Sequence, residues 1–212
     1  MSTAAKIDPA FSSRYNIKYH ADWVRIMDYV LAGAQRKEEF ENILLELMKE
    51  MPYDRITVKD LTARMHFVRK TFYHYFRNKQ SCLESLTDRL ILECNVSLLK
   101  TLPANANTRA VYEHRIRFWM AHRDFLDVII RNGLSSFFVE RFLLYIQKED
   151  RAIQEQLRTT MVGCDEDILF FYMTGQIFLL LKWCSEGFQL SMEEMVQKNL
   201  RLIQEPLVPP QK

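Results

Sequence analysis

The chain has 212 residues, of which 48% are hydrophobic and 26% are charged, and it contains only 5 Gly and 6 Pro. This composition excludes a disordered chain and favours helices over many short strands. The four cysteines are widely spaced and form no CxxC pair, which argues against a disulfide framework and for a reducing compartment. The N-terminus has no apolar signal segment, and the longest apolar run, 168–181, is shorter than the roughly 20 residues of a membrane span. We therefore expect a cytoplasmic protein without a membrane partner.

The net charge of +2 is unevenly distributed along the chain. Residues 55–80 hold seven Lys or Arg residues against the single acid Asp60, a local charge of +6, so the remaining residues carry −4. A basic patch confined to one short segment predicts a polyanionic partner. The alternative is a solvated helix face, where runs of charge commonly lie.

The N-terminal part of the chain begins with a segment, 1–18, that we expect to be poorly ordered. From His20 the apolar residues follow the helical spacing i, i+3, i+4, i+7, i+8 as far as Leu31. Gly33 is a candidate break, and a second apolar stripe follows it and ends at Pro52. The pattern predicts an N-terminal extension, 1–35, that carries an extra helix; its apolar stripe favours packing on the next domain, and the alternative is an arm that reaches DNA.

Two short helices joined by a turn are predicted between Thr57 and Phe76. Thr57 opens the first helix, with Asp60 three residues later as a capping box. The turn falls near 65–67. The spacing of four in the second helix predicts one buried face and one basic, aromatic face. The buried face is Val68, Phe72 and Phe76; the exposed face is Arg69, Tyr73 and Arg77, with Lys70 and His74 beside it.

The bases of this second helix stand where helix electrostatics disfavour them. A helix N-terminus carries partial positive charge, so Arg69 and Lys70 there each cost up to about 1 kcal/mol. An external anion such as a phosphate would compensate them. The exposed Arg, Lys and Tyr side chains are also groups that bond phosphates and base edges. The other interpretation is an ordinary amphipathic helix with a basic face.

The rest of the chain is predicted to be helical as well, with no convincing strand. Ser81 with Glu84 starts a helix that reaches about Lys100, and the segment 101–108 is the clearest linker. Further helices are predicted at about 108–120, 123–132, 135–158, 165–186 and 191–203.

The segment around the second short helix resembles the TetR-type transcriptional regulators. The run TFYHYFRNKQSCL is similar to the family's T-L-Y-Y-H-F-K-S-K-E-E-L block with the spacing intact, and the likeness covers roughly 36–83. The residues that carry it are Tyr53, Thr57, Val58, Asp60, Leu61, Arg69, Thr71, Phe72, Tyr73, Phe76, Asn78 and Lys79. Two positions depart from the pattern: His66 replaces a turn glycine, and Val68 replaces a Ser or Thr cap.

The resemblance implies an all-α fold with a three-helix helix-turn-helix DNA-binding head, 36–83, and a helical ligand-binding and dimerisation domain, 84–212. It also implies roles for individual residues. Lys70, Thr71 and Tyr73 would face base edges, and Arg69 would bind either bases or phosphates. The expected phosphate contacts are Thr57, Tyr75 and Lys79.

The resemblance further implies a ligand pocket and a dimer interface in the second domain. The candidate pocket residues are Tyr112, Arg115, Trp119, Phe125 and Tyr145, and the alternative is ordinary core aromatics and surface charge. The candidate interface residues are Gly175, Phe178 and Trp183, and the alternative is that this apolar helix belongs to the core of the monomer.

No pattern of catalytic residues is found, so an enzyme is not expected, and neither is a cofactor. His114 and His122 are eight residues apart without a third ligand nearby, so no metal site is predicted. The predicted function is a homodimeric transcriptional regulator, a repressor associated with the bacterial nucleoid. It would bind a palindromic operator in double-stranded DNA and be released by a small-molecule effector. The alternative is a coactivator of the same fold that senses a protein partner.

Overall fold

The computed structural model describes residues 20–103, 106–148 and 166–204, and in these residues it is all-helical without a strand, as predicted. A 3-10 turn, Tyr53–Arg55, lies between the first two α-helices. The α-helices are α1 (His20–Glu50), α2 (Val58–Arg64), α3 (Arg69–Tyr75), α4 (Lys79–Thr101), α5 (Thr108–Ala121), α6 (Arg123–Arg131), α7 (Ser135–Lys148), α8 (Glu166–Ser185) and α9 (Met192–Gln204).

Helix α1 is one continuous helix, so the prediction that Gly33 interrupts it is wrong. A single glycine costs a helix only about 1 kcal/mol, and the good helix formers that follow it offset this. The extension therefore does not carry a separate helix. The chain divides into two compact units at Phe40, and the first includes the start of α1. The predicted packing of the 20–31 stripe lies outside the described side chains except for Leu31, which is 59% exposed.

Three helices end in the same left-handed turn. After α2, His66 has φ 55°, its N–H bonds Ala63 O, and Phe67 N–H bonds Thr62 O at 2.9 Å. This pair of bonds is the Schellman arrangement, which needs a positive φ at the residue after the cap. Gly133 and Gly187 hold the equivalent positions after α6 and α8, with φ of 68° and 70°. His66 thus takes the glycine position that sequence comparison assigned to it.

The start of α4 differs from the sequence-based expectation. Asn78, rather than Ser81, is the N-cap: its side chain accepts from the Ser81 N–H, and the Ser81 hydroxyl accepts in turn from the Asn78 N–H. Ser81 therefore closes a capping box from inside the helix, because a hydroxyl can reach back as a carboxylate does. Thr57 and Asp60 form the capping box predicted for α2.

The helices after α4 pack around an aromatic core. Helix α4 contacts α5 and α7, α8 contacts α6 and α7, and α9 contacts α5. Within this core Trp119 stacks on Phe125 at 6.4 Å between centroids and meets Phe138 edge-on at 5.3 Å. The part of the predicted 135–158 helix beyond residue 148 lies outside the described residues.

Neighbouring residues of α4 bond to α1 on one side and to α7 on the other. The Glu41 carboxylate on α1 accepts from Ser85 Oγ and from Arg89 Nε, each at 2.6 Å. The Glu41 side chain is 3% exposed, whereas Arg89 is 25% exposed. One residue before Arg89, Asp88 accepts a two-pronged bond from Arg141 on α7. Helix α4 is thus clamped to the head on one side and to α7 on the other.

Glu41→Ala should destabilise the protein by about 2–4 kcal/mol, because it leaves the Ser85 hydroxyl and part of the Arg89 guanidinium without a buried acceptor. Urea unfolding measures the change. The matched control is Asp127→Ala, which removes an exposed pair with Arg131 on one helix and should cost about 0.5 kcal/mol or less. Equal effects of the two substitutions would contradict the assigned role of Glu41.

His114 should make the protein less stable in mild acid. Its Nε2 lies 2.9 Å from Ser97 Oγ on α4, and burial, helped by Arg115 and Arg117, lowers its pKa below the ordinary 6.5. The unfolded chain therefore takes up a proton first as the pH falls, and stability decreases from about pH 7 toward pH 5. His114→Gln should flatten that part of the stability profile. A slope identical to wild type would rule out His114 as its source.

Candidate DNA-binding surface and internal cavity

Helices α2 and α3 form a compact pair whose second member presents a basic face. Leu61 of α2 and Phe72 of α3 are fully buried, and Phe76 is 4% exposed. Arg69, Lys70, Tyr73 and Arg77 are exposed, as the spacing of four predicts. The first turn of α3 contains no acid, and its N-cap makes no side-chain bond. The positive end of α3 therefore carries two bases and no internal anion.

Val68 is not part of the buried face, contrary to the sequence prediction. Its side chain is 69% exposed, because it is the extended N-cap residue and lies outside the helical periodicity. Sequence reasoning therefore missed Val68 as a surface residue, although its position at a predicted helix start was a usable signal. An exposed apolar side chain beside Arg69 and Lys70 is suited to contact with a thymine methyl group.

The other residues predicted to contact DNA lie around this face. Tyr73 is 55% exposed and its ring rests edge-on against Phe72 at 5.6 Å. Thr71 and Tyr75 are half-buried, and Tyr75 meets the His74 ring edge-on at 4.9 Å. Thr57 is exposed, but its hydroxyl already donates to Asp60 at 2.7 Å. Its backbone N–H also donates to Asp60, at 2.8 Å, so both donors of Thr57 are engaged in the capping box.

Lys79, which was predicted to bind a phosphate, is already bonded within the protein. Its ammonium donates to the carbonyls of Tyr53 and Ile56, the latter at 2.8 Å, and lies 4.0 Å from the centroid of the Tyr53 ring. Burial lowers the pKa of Lys79. Because a lysine has three N–H donors, at most one remains for a phosphate. Lys79 thus fastens the turn before α2 to the start of α4.

Two polar contacts join the head to α6. The Asn132 side chain, just after α6, accepts from the Tyr53 backbone N–H at 2.6 Å. Lys49 near the end of α1 pairs with Asp124 at 3.0 Å. Bonding to Asp124 and Glu46 raises the pKa of Lys49, and bonding to Lys49 lowers the pKa of Asp124. Both contacts lie within one turn of an end of α6.

An apolar cavity lies between α5, α7 and α8. It encloses about 380 Å³, including its open mouth. This volume includes open solvent, so the space forms a partly open cleft between the helices. Its walls are Tyr112, Arg115, Ile116 and Trp119 from α5, Phe142 from α7, and Met173, Gln176, Ile177 and Leu180 from α8.

Three of the five predicted pocket residues line this cavity, namely Tyr112, Arg115 and Trp119. Phe125 instead lies behind the wall, 1% exposed and stacked on Trp119. Tyr145 is half-buried and is not part of the lining. The sequence analysis did not predict the residues that α8 contributes to this cavity. The signal that could have found them is Gln176, a polar residue within the apolar run 168–181.

The predicted interface residues of α8 fall into two environments. Phe178 is 53% exposed, and a Cβ added at Gly175 would meet nothing within 4 Å. Trp183 is 3% exposed, and its Nε1 donates to the Leu190 carbonyl at 2.9 Å. Trp183 thus belongs to the core of the protomer and offers little surface to a second copy. Phe171, 65% exposed, lies one turn before Gly175 and was missed.

Metal and membrane sites were also considered. His114 bonds Ser97, and the His122 ring stacks on Phe118 at 4.2 Å. Within the described ranges, no group of three or more His, Cys, Asp or Glu residues could hold a metal ion. No helix in the part of the chain that the structure covers is long and apolar enough to span a membrane.

Comparison with known proteins finds a family similarity from the last turns of α1 into α4. Residues 44–86 match the model of bacterial regulatory proteins, tetR family. The HTH-type transcriptional regulator YxbF of Bacillus subtilis (strain 168) is 25% identical over 179 aligned residues, which cover 81% of this chain. The alignment spans only 44% of that relative's length.

Two solved structures share the fold. A tetR-family transcriptional regulator from Streptomyces coelicolor has a TM-score of 0.52 at 15% identity, over 79% of this chain and 78% of that one. Thermus thermophilus FadR, a TetR-family repressor in complex with lauroyl-CoA, has a TM-score of 0.50 at 17% identity, over 83% of this chain and 97% of that one. The chain therefore shares the fold of these two regulators, and its residues 44–86 are similar to the helix-turn-helix segment of tetR-family regulatory proteins.

Proposed function

We propose that the protein is a homodimeric repressor that binds a palindromic DNA operator through α3 and leaves it when a small molecule enters the cavity. The observation that carries the DNA-binding part is the exposed N-terminal end of α3. Arg69 and Lys70 stand there against the helix dipole, with no acid in the first turn. DNA phosphates would supply the missing negative charge.

The dimer part of the proposal rests on an apolar surface of α8. Phe171, Gly175 and Phe178 are spaced by four and three residues, so they share one exposed stripe. Beside Phe178 an open groove is lined by apolar side chains of α7, including Val139, Leu143 and Leu144. A repeated apolar stripe on a two-fold partner would cover this surface, and two heads would then read two half-sites one DNA turn apart.

The release part of the proposal rests on a path from the cavity to the head. Trp119 lines the cavity and stacks on Phe125 of α6. The ends of α6 bond to Lys49 and Tyr53 in the head. A ligand that prefers a different position of Trp119 would shift α6, and with it the head, in proportion to its differential affinity. That FadR was solved with lauroyl-CoA supports a small-molecule effector over a protein partner. A cytoplasmic site on the nucleoid follows from the proposed DNA target.

The direct test is selection of DNA from a random pool, followed by a gel shift with the enriched sequence. We expect a palindrome with half-sites one turn apart, bound more weakly as salt rises. A reporter gene placed behind that sequence tests the sign of regulation. Its expression should be low in cells that contain the protein and should rise when the gene for the protein is deleted. Failure to shift any enriched DNA even at low salt would refute the proposal.

The double variant Arg69→Ala and Lys70→Ala should weaken binding to all DNA sequences. It should also lower the slope of log K against log salt by about 1–2, because up to two phosphate contacts are lost. Tyr73→Ala should instead change which base the selection enriches at one position. Arg131→Ala, an exposed arginine of α6, is the matched control and should leave affinity unchanged. A salt slope that stays at the wild-type value would show that the two bases bind no phosphate.

Phe178→Glu should convert the dimer into a monomer in sedimentation equilibrium. A charge placed in a paired apolar stripe has no partner and is repelled by its two-fold copy. The variant should still bind a half-site weakly and lose its preference for the palindrome. The control is Leu92→Glu on α4, since Leu92 is 48% exposed and Phe178 is 53% exposed. If both variants remain dimeric, the interface lies elsewhere.

A further inference from the structure

Among the described residues that line the cavity between α5, α7 and α8, Arg115 is the one that carries a charge. Its Nη1 donates to the Met173 thioether sulfur at 3.1 Å, and a thioether is a weak acceptor. Among the described residues no carboxylate bonds to it. Other arginines of the same domain are paired in this way: Arg109 with Glu193, Arg131 with Asp127 and Arg141 with Asp88.

Among the residues that the structure describes, none that interacts with Arg115 carries a negative charge. The titratable groups that interact with it are the Cys94 thiol, the Tyr112 hydroxyl and the imidazole of His114, the preceding residue. Burial raises the pKa of Cys94 to about 12 and raises the pKa of Tyr112 further still, so both are neutral at physiological pH. Burial also lowers the pKa of Arg115, but a guanidinium stays charged in proteins. The cavity therefore holds an uncompensated positive charge, which destabilises the protein without a ligand.

The other residues of the cavity wall indicate which chemical groups a ligand would carry besides an anion. Trp119, Ile177 and Leu180 are apolar and lie one or two helical turns along α5 and α8 from Arg115 and Met173. The Tyr112 hydroxyl and the Gln176 amide are the polar groups near the charge, and no described residue bonds to either side chain. Both can donate to an oxygen anion. A single guanidinium is neutralised by one negative charge, so a monoanion fits better than a phosphate dianion.

We propose that this cavity binds an amphipathic monocarboxylate whose head pairs with the Arg115 guanidinium and whose apolar body lies against Trp119, Ile177 and Leu180. A carboxylate matches the two parallel N–H donors of an arginine, and the apolar walls exclude water from the pair. The proposal names the chemical class of the effector and so rests on the proposed function for its biological role. Its binding chemistry is independent of DNA.

The test compares charged and uncharged probes of the same shape by calorimetry and by thermal shift. Decanoate is paired with decanol, and phenylbutyrate with phenylbutanol, so that an alkyl body is distinguished from an aromatic one. At least one acid should bind the wild-type protein about 30-fold or more tighter than its alcohol, as expected for a desolvated charge pair. Equal binding of acid and alcohol in both pairs, or no binding of either acid, would overturn the proposal.

Arg115→Met is the decisive variant, since it keeps the length of the side chain and removes its charge. It should abolish the preference for the acid and raise the melting temperature of the ligand-free protein, because a half-buried charge without a carboxylate partner is gone. Arg115→Lys should keep a weaker preference. Arg117→Met, an exposed neighbour on α5, should keep the full preference. A lower melting temperature in Arg115→Met, or a preserved preference, would show that Arg115 is a structural charge.

The two proposals fail separately. A gel shift of the ligand-free protein tests DNA binding without any probe, and calorimetry tests the carboxylate without any DNA. If DNA is bound and no carboxylate is, only the ligand class is wrong. If a carboxylate is bound through Arg115 and no DNA is, the regulator proposal is wrong and the site remains.

Discussion

The packing of the end of α1 against α4 depends on a buried carboxylate. Glu41, on the inner face of α1, is almost completely excluded from water and is held by Ser85 and Arg89 of α4. A carboxylate there is tolerated only because both donors are fixed by one helix. The next residue of α4 toward the N-terminus, Asp88, holds Arg141 of α7. Helix α4 therefore bonds both to α1 and to α7, and a movement of α4 would displace both helices.

A second connection runs along α5 and α6, and it starts at the cavity. Helix α5 ends at Ala121, and His122 is the boundary residue between α5 and α6. The two helices therefore cannot shift independently at that point. Trp119 couples the cavity wall to Phe125, and the polar contacts at the two ends of α6 reach the head. These contacts are exposed or half-exposed pairs, each contributing little free energy. Weak contacts of this kind can exchange partners when the cavity is filled, whereas the Glu41 clamp cannot.

Local sequence signals were sufficient for the DNA-binding head. The capping box of Thr57 and Asp60 and the buried Phe72 follow from spacing alone, because both interactions involve residues three or four positions apart. Val68 was misplaced because a cap residue does not obey the period of the helix it precedes. The contacts of Lys79 depend on a turn more than 20 residues away, so no local pattern could show that its ammonium is occupied.

The cavity was predictable only on one side. Tyr112, Arg115 and Trp119 share a face of α5, and aromatic residues at helical spacing beside an arginine indicate a pocket wall. The opposing wall comes from α7 and α8, and its register against α5 is set by tertiary packing, which helical periodicity does not specify. The continuity of α1 was missed for a related reason: a glycine is a weak break, and its outcome depends on the sum of the neighbouring propensities.

Both proposed sites carry a positive charge at a position where it is unfavourable in the ligand-free protein. Arg69 and Lys70 oppose the dipole of a seven-residue helix without a side-chain cap, and Arg115 is half-buried beside a thioether. Local rules are commonly broken at functional positions, where a ligand restores the balance. DNA would relieve the first charge and an anion the second. Two helices of the cavity wall, α5 and α7, pack on α4, and the ends of α6 bond to the head, so relief at one site need not be compatible with relief at the other. A coupling free energy of about 1–3 kcal/mol between them would suffice for a regulatory switch, and it must act equally in both directions.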